Sequence, residues 1–202
     1  MHSFVFLHAR EVRVLLENQM MLLAVFERAA LMLMTLFLLT RTRPFQRLFQ
    51  KRDHTPAELV LVASIFCLFA VFSTYTGIPV EGALINVRII AIISGGILFG
   101  PWVGIPAGVI SGLHRYLIDM DGHTSIPCLI ASIIAGLLAT WLHLRCRKSL
   151  LWLYGILAGM LCEGLTMLLI WLLTEPHEVG VEIVSHIAYP MIAGALCIGL
   201  II

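Results

Sequence analysis

The chain has 202 residues, of which 60% are hydrophobic and 12% are charged, and its formal net charge at pH 7 is +1. A soluble domain carries about 25% charged residues, so this composition excludes an ordinary soluble enzyme, and the near-zero net charge does not indicate a nucleic-acid partner. Several apolar runs approach the roughly 20 residues that cross a bilayer core as a helix. We therefore expect an all-α, polytopic membrane helix bundle that lies in the lipid bilayer.

Seven apolar segments can be marked along the chain, and we expect six to seven of them to span the membrane. Their approximate limits are 20–40, 58–76, 84–100, 101–118, 125–144, 150–173 and 183–202. Residues 1–19 are a separate lead-in, either an amphipathic stretch or a translation start placed too early, so that 20–202 form the membrane domain. The chain stops within an apolar run, which predicts a fragment whose cytoplasmic continuation is absent.

The third and fourth segments are short, rich in glycine and joined at Gly100 and Pro101. Because proline suits the first turn of a helix, a new helix is expected to begin there. The pair could either cross the bilayer twice or form a re-entrant hairpin. Glycines four residues apart line one face of a helix and let a second backbone approach closely. The predicted helix-packing residues are Gly96, Gly100, Gly104, Gly108 and Gly112.

The charges of the connections predict the orientation in the membrane. The connection at 41–52 carries five Lys or Arg residues and the one at 144–148 carries three, whereas the connections on the other side carry Asp and Glu. By the positive-inside rule the basic connections are cytoplasmic. The N-terminus is then external and the C-terminus lies on the cytoplasmic side of the inner membrane. This holds whether or not the third and fourth segments cross, because the pair returns to the side it left.

Two arginines, Arg88 and Arg115, lie near the external ends of the third and fourth segments. Ionisable groups inside a membrane usually face the bundle interior or a wet cavity, although a single arginine can instead extend its guanidinium to the headgroups. A planar guanidinium matches a carboxylate with two parallel donors. Two of them around a small cavity therefore predict a site for a small carboxylate or dicarboxylate from outside.

Polar side chains beside these arginines are candidates for further ligand contacts: Asn86, His114, Cys128 and Ser132. Asn86 could equally cap a helix, and a membrane serine such as Ser132 commonly bonds its own helix backbone. These residues therefore extend the predicted ligand-binding set without establishing it.

Glu163 lies in the middle of the sixth apolar segment. It could neutralise an arginine, with Arg28 as one candidate, or relay protons, or stay protonated. The pattern shows no hydrolytic triad and no phosphate-binding glycine loop. His114, His123, Asp119 and Asp121 are more typical of a solvated loop than of a metal site. We therefore predict no catalytic residues, no cofactor and no metal.

The stretch "NVRIIAIISGGILFGPWVGIPAGVISGLHRYLID" carries the motifs N-x-R, G-G-x-x-x-G-P and H-R-Y. With these motifs, and the "TSIPC" and Gly136 helix that follow, the chain resembles the LytS-type five-transmembrane sensor region. That region forms the N-terminal part of LytS/YpdA-family histidine kinases, and the YpdA-like branch looks most similar. The resemblance runs from about Met20 to the end of the chain.

The resemblance implies a receptor. Members of the family couple this region to a cytoplasmic GAF-like domain and a kinase that acts with a LytTR-type response regulator, and several respond to extracellular pyruvate. Carried over by motif, Arg88 and Arg115 would hold the carboxylate and Cys128 would line the pocket. The family pattern often has a serine three residues after that cysteine, where this chain has Ala131 and then Ser132. This chain itself carries no catalytic domain, so only the full-length parent would be a sensor kinase.

The leading hypothesis is the ligand-sensing membrane region of a two-component sensor kinase. The alternative is a small secondary transporter or channel for a carboxylate, because short glycine-interrupted segments also occur in transporters. A transporter should show matching broken segments in its second half, and residues 150–202 show no such repeat. A third hypothesis, a glycine-packed scaffold for assembly, is compatible with the first, because kinase sensors normally work as homodimers.

Overall fold

The computed structural model describes residues 54–80, 83–85, 87–120, 122–146 and 150–202. In the preceding part of the chain it describes isolated positions: 16, 19, 20, 23, 24, 27, 30, 31, 34, 35, 48 and 51. The predicted lead-in at 1–19 and the first apolar segment at 20–40 therefore lie largely outside the described residues, and both stay predictions.

The described part of the chain forms helices and one short antiparallel hairpin. In chain order the elements are α1 (Pro56–Tyr75), β1 (Ile78–Val80), β2 (Ala83–Ile85), α2 (Arg88–Phe99), α3 (Pro101–Ile118), α4 (Ser125–Arg145), α5 (Leu151–Leu173), α6 (His177–Leu196) and α7 (Ile198–Ile201). The two strands pair from Ile78 with Ile85 to Val80 with Ala83.

Four of these helices, α1, α4, α5 and α6, are long and apolar enough to cross a membrane, and α2 is a shorter apolar helix. The length and composition of these helices confirm the predicted helical membrane architecture. The predicted count of six to seven membrane segments stays a prediction. The hairpin at 78–85 was not predicted. An apolar run gives no periodicity over three residues that would separate a strand from a helix start.

The start of α1 is set by polar residues outside the apolar run. Thr55 and Glu58 form a capping box, in which the Thr55 N–H donates to Glu58 Oε2 at 2.7 Å and the Thr55 side chain accepts from the Glu58 N–H. Lys51 Nζ donates to both carboxylate oxygens of Glu58 at 3.0 and 2.9 Å. These contacts satisfy backbone donors that a helix leaves free at its first turn.

The chain reverses between α2 and α3 at Gly100. Its φ of +80° lies in the left-handed region that favours glycine. The two helices then pack so closely that a Cβ on Gly104 would lie 2.7 Å from the Gly96 Cα. His143 of α4 holds the turn from the side, with its Nδ1 2.8 Å from the Ile97 carbonyl oxygen. The result is a tight helical hairpin.

Glycines also bring α3 against α4. A Cβ on Gly108 would lie 2.5 Å from the Ser132 carbonyl oxygen, and one on Gly136 would lie 2.5 Å from the Gly104 carbonyl oxygen. At the next turn, a Cβ on Gly112 would lie 3.2 Å from the Leu129 carbonyl oxygen. The backbones of the two helices are therefore in direct contact over several turns.

Helix α2 is the central element of the bundle. Every residue from Arg88 to Phe99 except Leu98 is buried, and α2 contacts α1, α3, α4 and α5. At about 1.5 Å per residue its 12 residues are roughly 18 Å long, well short of the ~30 Å core of a bilayer. Its first residue, Arg88, is itself buried.

Gly108→Ala should lower the unfolding temperature of the purified chain in detergent. The new methyl group would meet the Ser132 carbonyl oxygen of α4, and forced overpacking costs about 1–3 kcal/mol. Gly164→Ala is the matched control, because nothing lies within 4 Å of a Cβ at that exposed position in α5, and alanine favours a helix. Equal thermal stability of the two variants would show that the contact between α3 and α4 is not needed.

Candidate ligand-binding site

Arg88 is the first residue of α2 and is only 2% exposed. Its Nη2 donates to the carbonyl oxygen of Cys128, in the first turn of α4, at 3.5 Å. The Cys128 side chain also interacts with the Arg88 guanidinium. The short length of α2 thus brings its N-terminal arginine to the first turn of α4.

Arg115 lies in the last turn of α3 and is fully buried. Its Nη1 forms an ion pair with Asp119 Oδ2 at 3.0 Å, and its Nη2 donates to Thr124 Oγ1 at 3.0 Å. Ser125 Oγ in turn donates to the Asp119 carbonyl oxygen. The guanidinium is therefore held in one orientation by the connection between α3 and α4.

The two guanidinium groups lie at the same end of the helix bundle, at the start of α2 and in the last turn of α3. The hypothesis that either side chain extends to the lipid headgroups does not hold in this structure, because Arg88 and Arg115 are 2% and 0% exposed. Two like charges that are buried together need compensating negative groups or an anion. A buried excess of positive charge is the electrostatic property that an anion site requires.

Glu163 is a further buried ionisable residue of the bundle. It lies in α5, which packs against α2, and is 3% exposed. Within the described residues its Oε2 has no hydrogen-bond partner. The three roles considered for Glu163, which are neutralisation of an arginine, proton relay and a protonated state, therefore stay predictions. Arg28, the candidate named from the sequence, lies outside the described residues.

Not all of the other side chains predicted to contact a ligand lie beside Arg88. Ser132 Oγ donates to the Cys128 carbonyl oxygen at 2.6 Å, so the same oxygen accepts from Ser132 and from Arg88. His114 instead faces α1, where its Nε2 lies 3.2 Å from the Tyr75 hydroxyl. Asn86 lies outside the described residues. The structure thus groups Cys128 and Ser132 with Arg88 and directs His114 to a neighbouring helix.

Two residues of this region were not predicted as part of it. Asp119 was assigned only to an acidic external connection, although its spacing of four residues from Arg115 is typical of an ion pair on a helix and could have indicated the contact. Tyr75 gave no such signal, because its contact with His114 joins two helices that are far apart in the chain.

Comparison with known proteins supplies further findings. The family described as 5TMR of 5TMR-LYT matches residues 42–202. The chain is 58% identical over 182 residues to the "Sensor histidine kinase YpdA" of Escherichia coli (strain K12), which covers 90% of this chain and 32% of that protein. No solved structure matches.

Two relatives of lower sequence identity are also named as sensor proteins. The "Sensor protein LytS" of Bacillus subtilis (strain 168) is 31% identical over 192 residues, covering 85% of this chain and 32% of that protein. The "Sensor histidine kinase BtsS" of Escherichia coli (strain K12) is 32% identical over 177 residues, covering 85% of this chain and 31% of that protein. The chain therefore spans about a third of the length of the curated relatives that it matches.

Glu163 is 3% exposed in α5, which packs against α2, so Glu163→Gln should lower the thermal stability of the purified chain if its carboxylate stabilises Arg88. The expected loss is about 0.5–3 kcal/mol. The control is Glu175→Gln, an exposed carboxylate between α5 and α6, for which a change within about 0.5 kcal/mol is expected. Both can be followed by thermal unfolding in detergent.

The pairing itself can be tested with the double variant Arg88→Met and Glu163→Gln. If the two groups stabilise each other, the double variant should lose less stability than the sum of the two single variants. Strict additivity would contradict the pairing.

Proposed function

Because this chain belongs to the family described as 5TMR of 5TMR-LYT and is the membrane region of a LytS/YpdA-type sensor histidine kinase, we propose that it binds a small extracellular carboxylate such as pyruvate. In this proposal it passes the binding event to a cytoplasmic kinase domain of a full-length sensor kinase. A LytTR-type response regulator is the proposed downstream partner, and the sensor works as a homodimer.

The observation that carries the proposal is the burial of two arginines, Arg88 and Arg115, at one end of the bundle. Asp119 and Thr124 hold the Arg115 guanidinium, and the Cys128 carbonyl oxygen accepts from Arg88. An incoming carboxylate would compete with these groups for the guanidinium donors, and its negative charge would compensate the two buried positive charges. Arg88 and Arg115 are the proposed carboxylate ligands, and Cys128 and Ser132 are proposed to line the same pocket.

Helix α2 offers a direct route for the signal. Arg88 is at its start, and Ile97, near its other end, lies beside Gly155 of α5. The side chains of Ile198 and Ile202 pack against the same glycine. A change in the position of Arg88 would move a buried, rigid helix whose far end contacts the C-terminal residues. We propose that these residues lie on the cytoplasmic side of the inner membrane.

Arg88→Ala and Arg115→Ala should each weaken pyruvate binding about tenfold to a hundredfold, since a charge-assisted contact contributes roughly 1.5–3 kcal/mol. Arg88→Lys should weaken it nearly as much, because lysine keeps the charge but loses the planar pair of donors. Binding is measured by calorimetry on the purified chain, with acetate and lactate for comparison. Arg145→Ala, an exposed arginine at the end of α4, is the matched control. Unchanged binding in both alanine variants would exclude this site.

The proposed orientation can be tested with reporter fusions at the connections. Fusions after Lys51 and after Lys148 should report the cytoplasm, and fusions after Asp121 and after Glu178 should report the external side. If the fusions after Asp121 and Lys148 reported the same side, the two arginines could not face an external ligand.

A further inference from the structure

One face of α6 carries polar side chains that point away from the rest of the bundle. Glu178, Glu182, Ser185 and Tyr189 are exposed, Tyr189 to 83%, and His186 flanks them. These five residues are called the polar stripe below. They recur every three to four residues and therefore share one helix face.

The opposite face of α6 packs into the bundle. Ile183, Ile187 and Met191 are at most 8% exposed, and α6 packs against α5. The polar stripe consequently faces outward from the described part of the chain. The outward faces of α4 and α5, in contrast, carry large apolar side chains. Exposed examples are Leu137, Trp141, Leu161, Leu168 and Leu172.

The polar stripe extends along more than half of α6. The 20 residues of α6 are roughly 30 Å long, which matches a bilayer core. Counted from His177, Glu182 lies about 7.5 Å, Ser185 about 12 Å and Tyr189 about 18 Å along the helix axis. Polar residues on the outward face of a membrane helix rarely face lipid and usually meet protein.

Local hydrogen bonds satisfy only part of the polar stripe. Ser185 Oγ donates to the Glu182 carbonyl oxygen at 2.8 Å, and His186 Nδ1 lies 2.9 Å from the same oxygen. Within the described residues the Glu182 carboxylate has no hydrogen bond or ion pair. The side chains that project furthest, Glu182 and Tyr189, therefore have polar atoms available to a partner.

We propose that the polar stripe of α6 is the membrane interface with a second copy of this chain. Two copies inserted with the same orientation are related by a two-fold axis along the membrane normal, so their α6 helices run in the same direction. Glu182 and His186 are one helical turn apart, and they carry complementary chemistry. In crossed parallel helices, Glu182 of each copy can therefore meet His186 of the other, which gives two equivalent polar contacts.

Two described residues of the first apolar segment, Leu31 and Thr35, line a small cavity with Phe69 and Phe72 of α1. For this reason the polar stripe of α6 is assigned to a second copy of the chain rather than to that segment. The inference specifies an interface for the homodimer of the proposed function, but it does not depend on ligand binding. A failure of one can therefore be distinguished from a failure of the other.

The first test is cysteine crosslinking of the chain in isolated membranes with a mild oxidant. Tyr189→Cys or Ser185→Cys should give a covalent dimer well above the background of the native cysteines, which the unmodified chain measures. Leu137→Cys is the matched control, because it is also exposed and lies twelve residues from the start of its helix, as Tyr189 does. The proposal would be overturned if Leu137→Cys crosslinked as strongly as Tyr189→Cys and Ser185→Cys. It would also be overturned if neither Tyr189→Cys nor Ser185→Cys gave a covalent dimer.

The second test measures charge pairing across the interface. Glu182→His and His186→Glu should each weaken dimerisation about tenfold, as judged by light scattering in detergent, and the double variant should restore it. A double variant as weak as the single ones would contradict the pairing. An intrachain disulfide between Tyr189→Cys and Glu27→Cys would instead assign the polar stripe to the first segment and overturn the second-copy assignment.

Discussion

The burial of two arginines within a few helices is the constraint on which the rest of the bundle depends. A guanidinium in a membrane interior is costly unless donors and charges are matched around it. Here the matching groups come from different elements: Asp119 and Thr124 from the connection after α3, and the Cys128 carbonyl from α4. The relative positions of α2, α3 and α4 are therefore tied to the electrostatics of this one region.

Close backbone packing makes these contacts possible. Gly100 reverses the chain, and Gly96 and Gly104 let α2 and α3 touch, while Gly108 places α3 directly on α4. A larger residue at these points would force the helix backbones apart. The same packing buries α2 among four neighbouring helices. The proposed signalling route requires such a helix, because a shift at one end is then passed to the other.

Most of the helix limits were predictable, because hydrophobic runs and capping residues are local signals. The segment at 125–144 agrees with α4 to within one residue, and the segment at 150–173 agrees equally well with α5. The seventh predicted segment, 183–202, was less accurate, since α6 begins at His177 rather than near 183. Its first turns carry Glu178 and Glu182, which lower the hydropathy that defined the segment.

The sequence by itself determined the membrane class, the glycine spacing, the positions of the two arginines in neighbouring segments and the family resemblance, because each of these is a pattern along the chain. Only the tertiary structure decided that both arginines are buried, that Arg88 donates to the Cys128 carbonyl oxygen, and that His114 turns toward Tyr75. It also decided that the polar side chains of α6 face outward. These are properties of helix faces that meet across long sequence distances, and an almost uniformly apolar helix carries little periodicity to predict which face will be buried.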